Sequence, residues 1–347
     1  MNVLIYAGYQ AVPFDGNTKE GLGGTEIAII NVSKELVKFG FNVFVSGQIL
    51  DSGKVDGVNW MSTDILHQNH FNEFDVIISA SYVHFMLEFE HYSRAKKVFW
   101  AHNTHHFSWW NGLVLENADE LISSVDHTVC LTEWHVDSWS NSYNIDHSNI
   151  SIIGNGIDTS SFIGNPTKTK GKFIWSSAPE RGLLDLLNNW RGIKEIIPNA
   201  NLDIYNPSYS SNQITHDIKV LINSLPDVNY IGSVDQHTLH NAMLRAEFWS
   251  YVVSYEETFC ITAIEMQYSN VFMITTDTAA LSETVHSGIV VKNDEHRWDN
   301  VLKQLSTIGK LDMKKHIKSS KTYAKNQTWC EMSYKWKKLI DKITSNE

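Results

Sequence analysis

Short runs of β-branched and aromatic residues, separated by segments with helical spacing, recur along almost the entire chain. Seven of these runs precede residue 154, at residues 3–7, 42–47, 58–61, 76–80, 98–101, 128–131 and 150–153. Between the first two runs, Ala28, Val32, Leu36 and Phe39 follow the spacing of an amphipathic helix. Strands that alternate with helices predict a parallel sheet with right-handed crossover connections.

A pause in the alternation predicts a boundary between two domains. Residues 154–171 contain four glycines, one proline and several Ser, Thr and Asn residues, a composition typical of a linker. Six further strand-like runs follow it, at residues 173–176, 202–205, 228–232, 248–253, 271–275 and 288–291. A chain of 347 residues also exceeds the usual size of one hydrophobic core.

We therefore predict an α/β protein with two Rossmann-like domains, whose parallel sheets face each other across a cleft. The first domain is predicted at residues 1–154 and the second at residues 155–325. A C-terminal helix at residues 326–347 is predicted to pack back on the first domain. Ligands of open α/β sheets bind at the carboxyl ends of the strands, so the loops there are the candidate site.

The charge balance and the cysteines exclude several classes of protein. The 28 Lys and Arg residues against 39 Asp and Glu residues give a formal charge of −11, which argues against nucleic-acid binding. Three widely spaced cysteines form no CxxC pair, which favours a reducing compartment. With neither a signal-peptide pattern nor a run of about 18 apolar residues, we expect a cytoplasmic protein.

The C-terminal segment 310–342 is strongly basic, with ten lysines and three acidic residues. Two interpretations stay open for this segment. Its lysines form an ordinary solvated helix face, or they attract the protein to the periphery of an anionic membrane surface.

A glycine-rich loop precedes the first predicted helix. Gly23 and Gly24 would let a diphosphate approach the backbone, where the helix N-terminus offers free N–H groups. A plain turn is the alternative. The loop is not the GxGxxG of dinucleotide enzymes, which argues against hydride transfer with NAD.

A pair of glutamates eight residues apart, Glu257 and Glu265, follows the apolar run at residues 248–253. A helix that begins near Cys260 would place the first glutamate at its mouth and the second one or two turns in. One carboxylate can accept paired hydrogen bonds from a vicinal diol such as a ribose, and the other can reach a sugar hydroxyl. The loop amides could hold a phosphate, and they belong to Thr258, Phe259, Cys260 and Ile261. Solvated helix charges are the alternative.

This Glu-x7-Glu segment resembles the hallmark of the retaining glycosyltransferases of family GT4, which have the GT-B fold. The resemblance extends over nearly the whole chain. Its other anchors lie at residues 23–26, 100–103, 155–158, 178–183, 231–233, 276–277 and 282–283. Most of them are weak singly, and their order along the chain makes the resemblance specific.

The resemblance implies a hexosyltransferase that moves a sugar from a UDP- or GDP-linked donor to a hydroxyl of a glycan, glycolipid or similar acceptor, with retention. It assigns Arg181 to the charge of the leaving diphosphate and His102 to a hydrogen bond with the transferred sugar. It places Glu257 near the positive charge on the sugar ring. No metal and no cofactor other than the donor are implied. A structural role for His102 is the alternative.

Departures from the family pattern keep two rival functions open. Ser176 stands where relatives often carry a second basic residue, and Thr258 and Cys260 stand where glycine is common. These departures fit a non-catalytic protein that binds sugar nucleotides or glycans. A GT-B sugar-nucleotide epimerase is the other alternative.

Two further groups of residues were considered for the site. The histidines at 102, 105 and 106 lack a carboxylate or cysteine at ligand spacing, and the chain has no Asp-x-Asp motif, so no metal site is expected. Trp109 or Trp110 is a candidate for stacking on an acceptor sugar, with core packing as the alternative.

Overall fold

The computed structural model describes residues 1–9, 13–19, 22–68, 74–206 and 214–345. The chain divides into two units. The first unit comprises Met1–Thr18, Leu22–Gly156 and Trp329–Glu347, and the second is formed mainly by Ile157–Thr328. Each unit has an α/β architecture with its own main sheet and its own hydrophobic core.

The first unit is built on an eight-stranded sheet. Its strands are β1 (Asn2–Gly8), β2 (Asn42–Gly47), β3 (Gly53–Val55), β4 (Val58–Ser62), β5 (Val76–Ala80), β6 (Lys96–Trp100), β9 (His127–Cys130) and β10 (Ile150–Ile152), and a separate hairpin consists of β7 (Trp109–Trp110) and β8 (Leu113–Val114). The order in the sheet is β10-β9-β6-β5-β1-β2-β4-β3. All pairs are parallel except β3 with β4.

All seven strands predicted before residue 154 are present in this sheet. The central strand β5 is buried along its whole length, as expected for a strand covered on both faces. The sequence did not predict β3, β7 or β8, which are strands of only two or three residues.

Helices connect these strands. They are α1 (Gly24–Lys38), α2 (Thr63–Gln68), α3 (Phe85–Glu88), α4 (Ala118–Ser123) and α5 (Glu133–Tyr143). Helix α1 buries Ala28, Val32 and Leu36 of the predicted apolar stripe, and it ends before Phe39, which is its C-cap residue and only partly buried. Helix α5 begins where the Thr132 hydroxyl accepts a hydrogen bond from the backbone N–H of His135.

The second unit contains a six-stranded parallel sheet. Its strands are β11 (Lys172–Ser176), β12 (Asn201–Tyr205), β13 (Val228–Gly232), β14 (Phe248–Tyr251), β15 (Phe272–Thr276) and β16 (Ile289–Val291). The order is β13-β12-β11-β14-β15-β16, so the chain leaves β11 on one side and returns to its other side with β14. In sheets of this kind the crevice at such a reversal is where ligands bind.

Seven helices accompany this sheet in the described part of the second unit. They are α6 (Leu183–Ile196), α7 (His216–Ser224), α8 (Gln236–Arg245), α9 (Ile261–Tyr268), α10 (Leu281–Thr284), α11 (Arg297–Leu305) and α12 (Met313–Ala324). The last helix of the chain, α13 (Trp329–Thr344), lies in the first unit. There the ring of Trp336 packs 5.0 Å from that of Trp100 on β6. Among the described helices, none is long and apolar enough to cross a membrane.

Candidate active site

The candidate site of the second unit lies at the carboxyl ends of β11 and β14, on either side of the reversal in strand order. A 3₁₀ turn at Pro179–Arg181 follows β11 and carries Arg181. The next residue, Gly182, has φ of 132° and leads into α6. A Cβ atom there would lie 2.8 Å from the Val253 side chain, so only glycine fits this corner. The turn therefore holds Arg181 in a defined place beside the segment after β14.

Arg181 and Glu257 form an ion pair in this place. The distance from Arg181 Nη1 to Glu257 Oε1 is 2.8 Å, and the Glu257 side chain is only 8% exposed. The guanidinium also lies over the ring of Tyr255, 4.5 Å from its centroid. Stacking and pairing of this kind orient the guanidinium toward Glu257. The structure thus brings together two of the residues that the sequence assigned to catalysis.

A buried tyrosine that the sequence analysis missed completes this group. The hydroxyl of Tyr251, the last residue of β14, donates a hydrogen bond of 2.6 Å to Glu257 Oε1. Burial, together with the neighbouring Glu257 charge, raises the pKa of Tyr251 well above its usual value. The phenol therefore acts as a neutral donor. The available signal was a tyrosine that ends an apolar strand six residues before the motif glutamate.

The loop between Glu257 and α9 has a strained residue at its end. Cys260 precedes the helix with φ of 66° and ψ of 79°, a left-handed conformation that glycine adopts without strain. Desolvation raises the pKa of the Cys260 thiol, with the Glu257 charge as a second cause, so the thiol stays protonated. A neutral thiol in this place is not an activated nucleophile.

The N-terminus of α9 presents backbone donors. Within the described residues, no hydrogen-bond acceptor faces the N–H groups of Phe259, Cys260 or Ile261. Unpaired N–H groups at a helix start, together with the helix dipole, suit a phosphate group. This is the place that the sequence predicted for the donor phosphate.

Glu265 lies on α9 and is also held by a buried ring. Its Oε1 lies 3.2 Å from Nε2 of His240, and that histidine stacks on Phe162 with centroids 4.1 Å apart. Because a carboxylate only accepts hydrogen bonds, His240 donates through Nε2. Its Nδ1 has no partner among the residues that the structure describes. No pattern in the sequence pointed to His240, which lies 25 residues before Glu265.

Ser176, at the end of β11, stands where a second cation was considered. Its hydroxyl is buried and finds no hydrogen-bond partner in the described part of the chain. The cation beside Glu257 is therefore supplied by Arg181, from the turn five residues further on.

The first unit contains the other predicted site residues. His102 follows β6 and is buried, with its ring 4.4 Å from that of Trp100. Desolvation, with a smaller effect of His135, lowers the pKa of His102 to about 3. The imidazole is therefore neutral at physiological pH, and a neutral imidazole can form a hydrogen bond with a hydroxyl group.

Gly23 and Gly24 lie at the start of α1, where Gly23 is the N-cap residue. The carboxylate of Glu26 folds back over this end. Its Oε2 lies only 2.6 Å from the position that a Cβ atom on Gly23 would occupy. Burial raises the pKa of Glu26, and hydrogen bonds from the backbone of Glu26 and Gly23 oppose that rise. An acidic side chain thus already occupies the helix end at which the sequence placed a diphosphate.

The remaining candidates of the first unit have structural partners. His106 lies 2.9 Å from Asp119, and Trp110 stacks on His84. Trp109 is 38% exposed and its ring lies 5.4 Å from that of Tyr9, which is also partly exposed. In the described ranges, no group of three or more His, Cys, Asp or Glu side chains could hold a metal ion.

Comparisons with known proteins agree with this arrangement. Residues 58–161 match the family model described as Glycosyltransferase Family 4. No curated protein sequence matches the chain.

Solved structures resemble it over its whole length. Sucrose-phosphate synthase from Thermosynechococcus elongatus has a TM-score of 0.74 at 12% identity, covering 99% of this chain and 98% of that one. Anabaena HepE in complex with UDP-glucose has a TM-score of 0.72 at 12% identity, covering 99% and 100%. The catalytic domain of starch synthase IV from Arabidopsis thaliana, bound to ADP and acarbose, has a TM-score of 0.73 at 12% identity, covering 99% of both chains.

Two open α/β units with a site at a strand reversal, matched along their length by these structures, define the GT-B fold. The chain has this fold. Residues 58–161 of the chain are similar to glycosyltransferase family 4, whose model they match. The predicted fold and the resemblance to that family are thereby confirmed.

Proposed function

We propose that the protein transfers a hexose from a nucleoside-diphosphate donor to an acceptor hydroxyl, with retention at the anomeric carbon. The observation that carries the proposal is the Arg181–Glu257 pair, which lies at the strand reversal and just before the N-terminus of α9. A diphosphate needs fixed positive charge, and a developing sugar cation needs fixed negative charge. The pair supplies one of each in adjacent positions.

The donor diphosphate is proposed to bind Arg181 together with the amides of Phe259, Cys260 and Ile261. A guanidinium has five donors, so Arg181 can keep its bond to Glu257 while other N–H groups face phosphate oxygens. HepE has been solved with UDP-glucose and starch synthase IV with ADP, which supports a nucleotide-linked donor. We propose a UDP- or GDP-linked sugar.

Charge stabilisation is the proposed catalytic principle. Arg181 and the start of α9 would stabilise the negative charge on the departing diphosphate, and Glu257 would stabilise positive charge on the sugar ring. His102, which the resemblance assigns to the sugar, would contribute a hydrogen bond from a neutral imidazole. Because the guanidinium and the helix N-terminus supply the positive charge, we propose that no metal ion is needed.

The acceptor is proposed to be a glycan or a lipid-linked sugar. Trp109 and Tyr9 present partly exposed rings 5.4 Å apart in the first unit, and aromatic rings pack well against the apolar face of a sugar. The lysines of segment 310–342 remain a proposed peripheral contact with an anionic membrane surface.

A panel of sugar nucleotides tests the function. We expect the purified protein to release nucleoside diphosphate from one of them and to transfer its sugar to an added acceptor, and we expect Arg181→Ala to abolish most of this activity. Arg297→Ala is the matched control, because Arg297 forms an ion pair of the same length with Asp185 in the same unit. A modified free sugar would instead identify an epimerase, and tight nucleotide binding without turnover would identify a binding protein.

A further inference from the structure

The two hydrogen bonds that reach Glu257 converge on one oxygen atom. Tyr251 donates to Oε1 over 2.6 Å, and Arg181 donates to the same Oε1 over 2.8 Å. Among the described residues, none donates to Oε2. The carboxylate is therefore held through one oxygen, and the second oxygen keeps its capacity to accept a hydrogen bond.

The side chain of Tyr251 is held in place by packing. Tyr251 is 1% exposed, and its ring stacks on that of Trp249 with the centroids 4.8 Å apart and an angle of 11° between the planes. Trp175, on the adjacent strand β11, packs 5.4 Å from the same ring. The phenol cannot turn away without disturbing these two buried tryptophans, so its hydroxyl is a fixed point in the site.

The second partner of Glu257 is much less confined. The Arg181 side chain is 29% exposed, and the proposed function requires its guanidinium to face a diphosphate as well. Any movement of Arg181 toward the donor would weaken its hold on Glu257. The Tyr251 hydroxyl is given no contact with the diphosphate by the proposed function, and Ser177 Oγ lies 3.5 Å from it.

We infer that Tyr251 is a positioning residue of the transfer reaction, whose phenol holds Glu257 through Oε1 and presents Oε2 to the donor sugar. This inference rests on the proposed function. The tyrosine itself does not touch the sugar. A glutamate side chain has several rotatable bonds, and a fixed donor to one of its oxygens restricts them before substrate arrives.

Tyr251→Phe is the primary test, since it removes only the hydroxyl and keeps the packed ring. We expect kcat to fall about tenfold or more, because a hydrogen bond to a charged group is lost. The affinity for the nucleoside diphosphate without sugar should change by less than about twofold, because Arg181 and the α9 amides are intact. Tyr323→Phe removes a hydroxyl from the same unit outside the site and should change neither quantity.

A double-mutant cycle with Glu257→Gln separates positioning from a general structural effect. If Tyr251 acts through Glu257, the Phe substitution should change kcat by less than about twofold in the Gln background. An unchanged kcat in Tyr251→Phe, or an equal loss in both backgrounds, would overturn the inference.

The same double-mutant cycle is also measured as shifts in thermal melting temperature. This measurement needs no sugar-nucleotide donor. The shifts caused by Tyr251→Phe and Glu257→Gln should be clearly non-additive, because the two groups share a hydrogen bond. Additive shifts would overturn the inference even if no sugar nucleotide were turned over. Absence of turnover by the unmodified protein, with non-additive shifts, would instead count against the proposed function alone.

Discussion

Arg181 and Glu257, 76 residues apart in the sequence, are joined by an ion pair of 2.8 Å at the carboxyl edge of the second sheet. Arg181 follows β11 and Glu257 follows β14. Their contact therefore depends on the adjacency of these two strands. Glu257 is buried, and a buried charge without a partner is costly. The pair therefore assembles the site and also supports its stability.

Replacement of Arg181 should affect catalysis far more than folding alone would explain. We expect Arg181→Ala to lower kcat/KM by about 10²–10³, as for other preorganised groups that face developing charge. Arg181→Lys should recover part of the loss, because it keeps the charge but not the planar fork. Steady-state kinetics with the identified donor provide the measurement, with Arg297→Ala as the control. A loss below threefold in Arg181→Ala would contradict the assignment.

Cys260 should tolerate glycine better than a β-branched residue. At φ of 66°, Cys260→Val should lower the free energy of unfolding by about 1–2 kcal/mol, whereas Cys260→Gly relieves the strain and should cost little. Urea unfolding measures both. Cys330→Val, on the exposed side of α13, should change stability by less than about 0.5 kcal/mol. Equal stability of the Val and Gly variants at position 260 would argue against backbone strain.

Acidification should destabilise the first unit through its buried histidines. The pKa of His102 is about 3 in the folded chain and roughly 6.5 when unfolded, so the unfolded state binds more protons between these values. The free energy of unfolding should therefore be fully retained above about pH 6.5 and should fall as the pH drops toward 3.

His102→Gln tests this dependence. In urea unfolding, the variant should reduce the slope below pH 6 by about 1.4 kcal/mol per pH unit, which corresponds to one proton. His296→Gln is the control, because His296 is 67% exposed. An unchanged slope in the His102 variant would show that His102 is not the group responsible.

Loss of the Trp109 ring should weaken acceptor binding selectively. We expect Trp109→Ala to raise the KM for the acceptor about fivefold, in line with about 1 kcal/mol for aromatic packing, and to leave the KM for the donor unchanged. Leu113→Ala provides the control on the same hairpin, because Leu113 is 73% exposed. A parallel rise in both KM values would indicate a structural defect rather than a lost acceptor contact.

The strands and helices of both sheets could be predicted from the sequence because the signal for each of them is local. A strand covered on both faces must be apolar throughout, and α1 shows its buried stripe at Ala28, Val32 and Leu36. The motif glutamates were found in the same way, since Glu257 follows a buried strand and Glu265 lies in the next helix. These signals need no knowledge of distant residues.

The partners of those glutamates were not accessible in this way. In the sequence, Tyr251 is indistinguishable from the other aromatic residues of a buried strand, and His240 from an ordinary helix residue. Their hydrogen bonds to Glu257 and Glu265 depend on side-chain direction and on how helices pack against the sheet. Neither property leaves a periodic trace in the sequence.

The sequence by itself determined the alternation of strands and helices, the place of the motif and the class of fold, because each depends on local hydrophobic pattern and spacing. The tertiary structure alone decided that Arg181 pairs with Glu257 and that Tyr251 shares the same oxygen. The physical reason is that strand order and side-chain packing select these contacts from many that the same local pattern would allow.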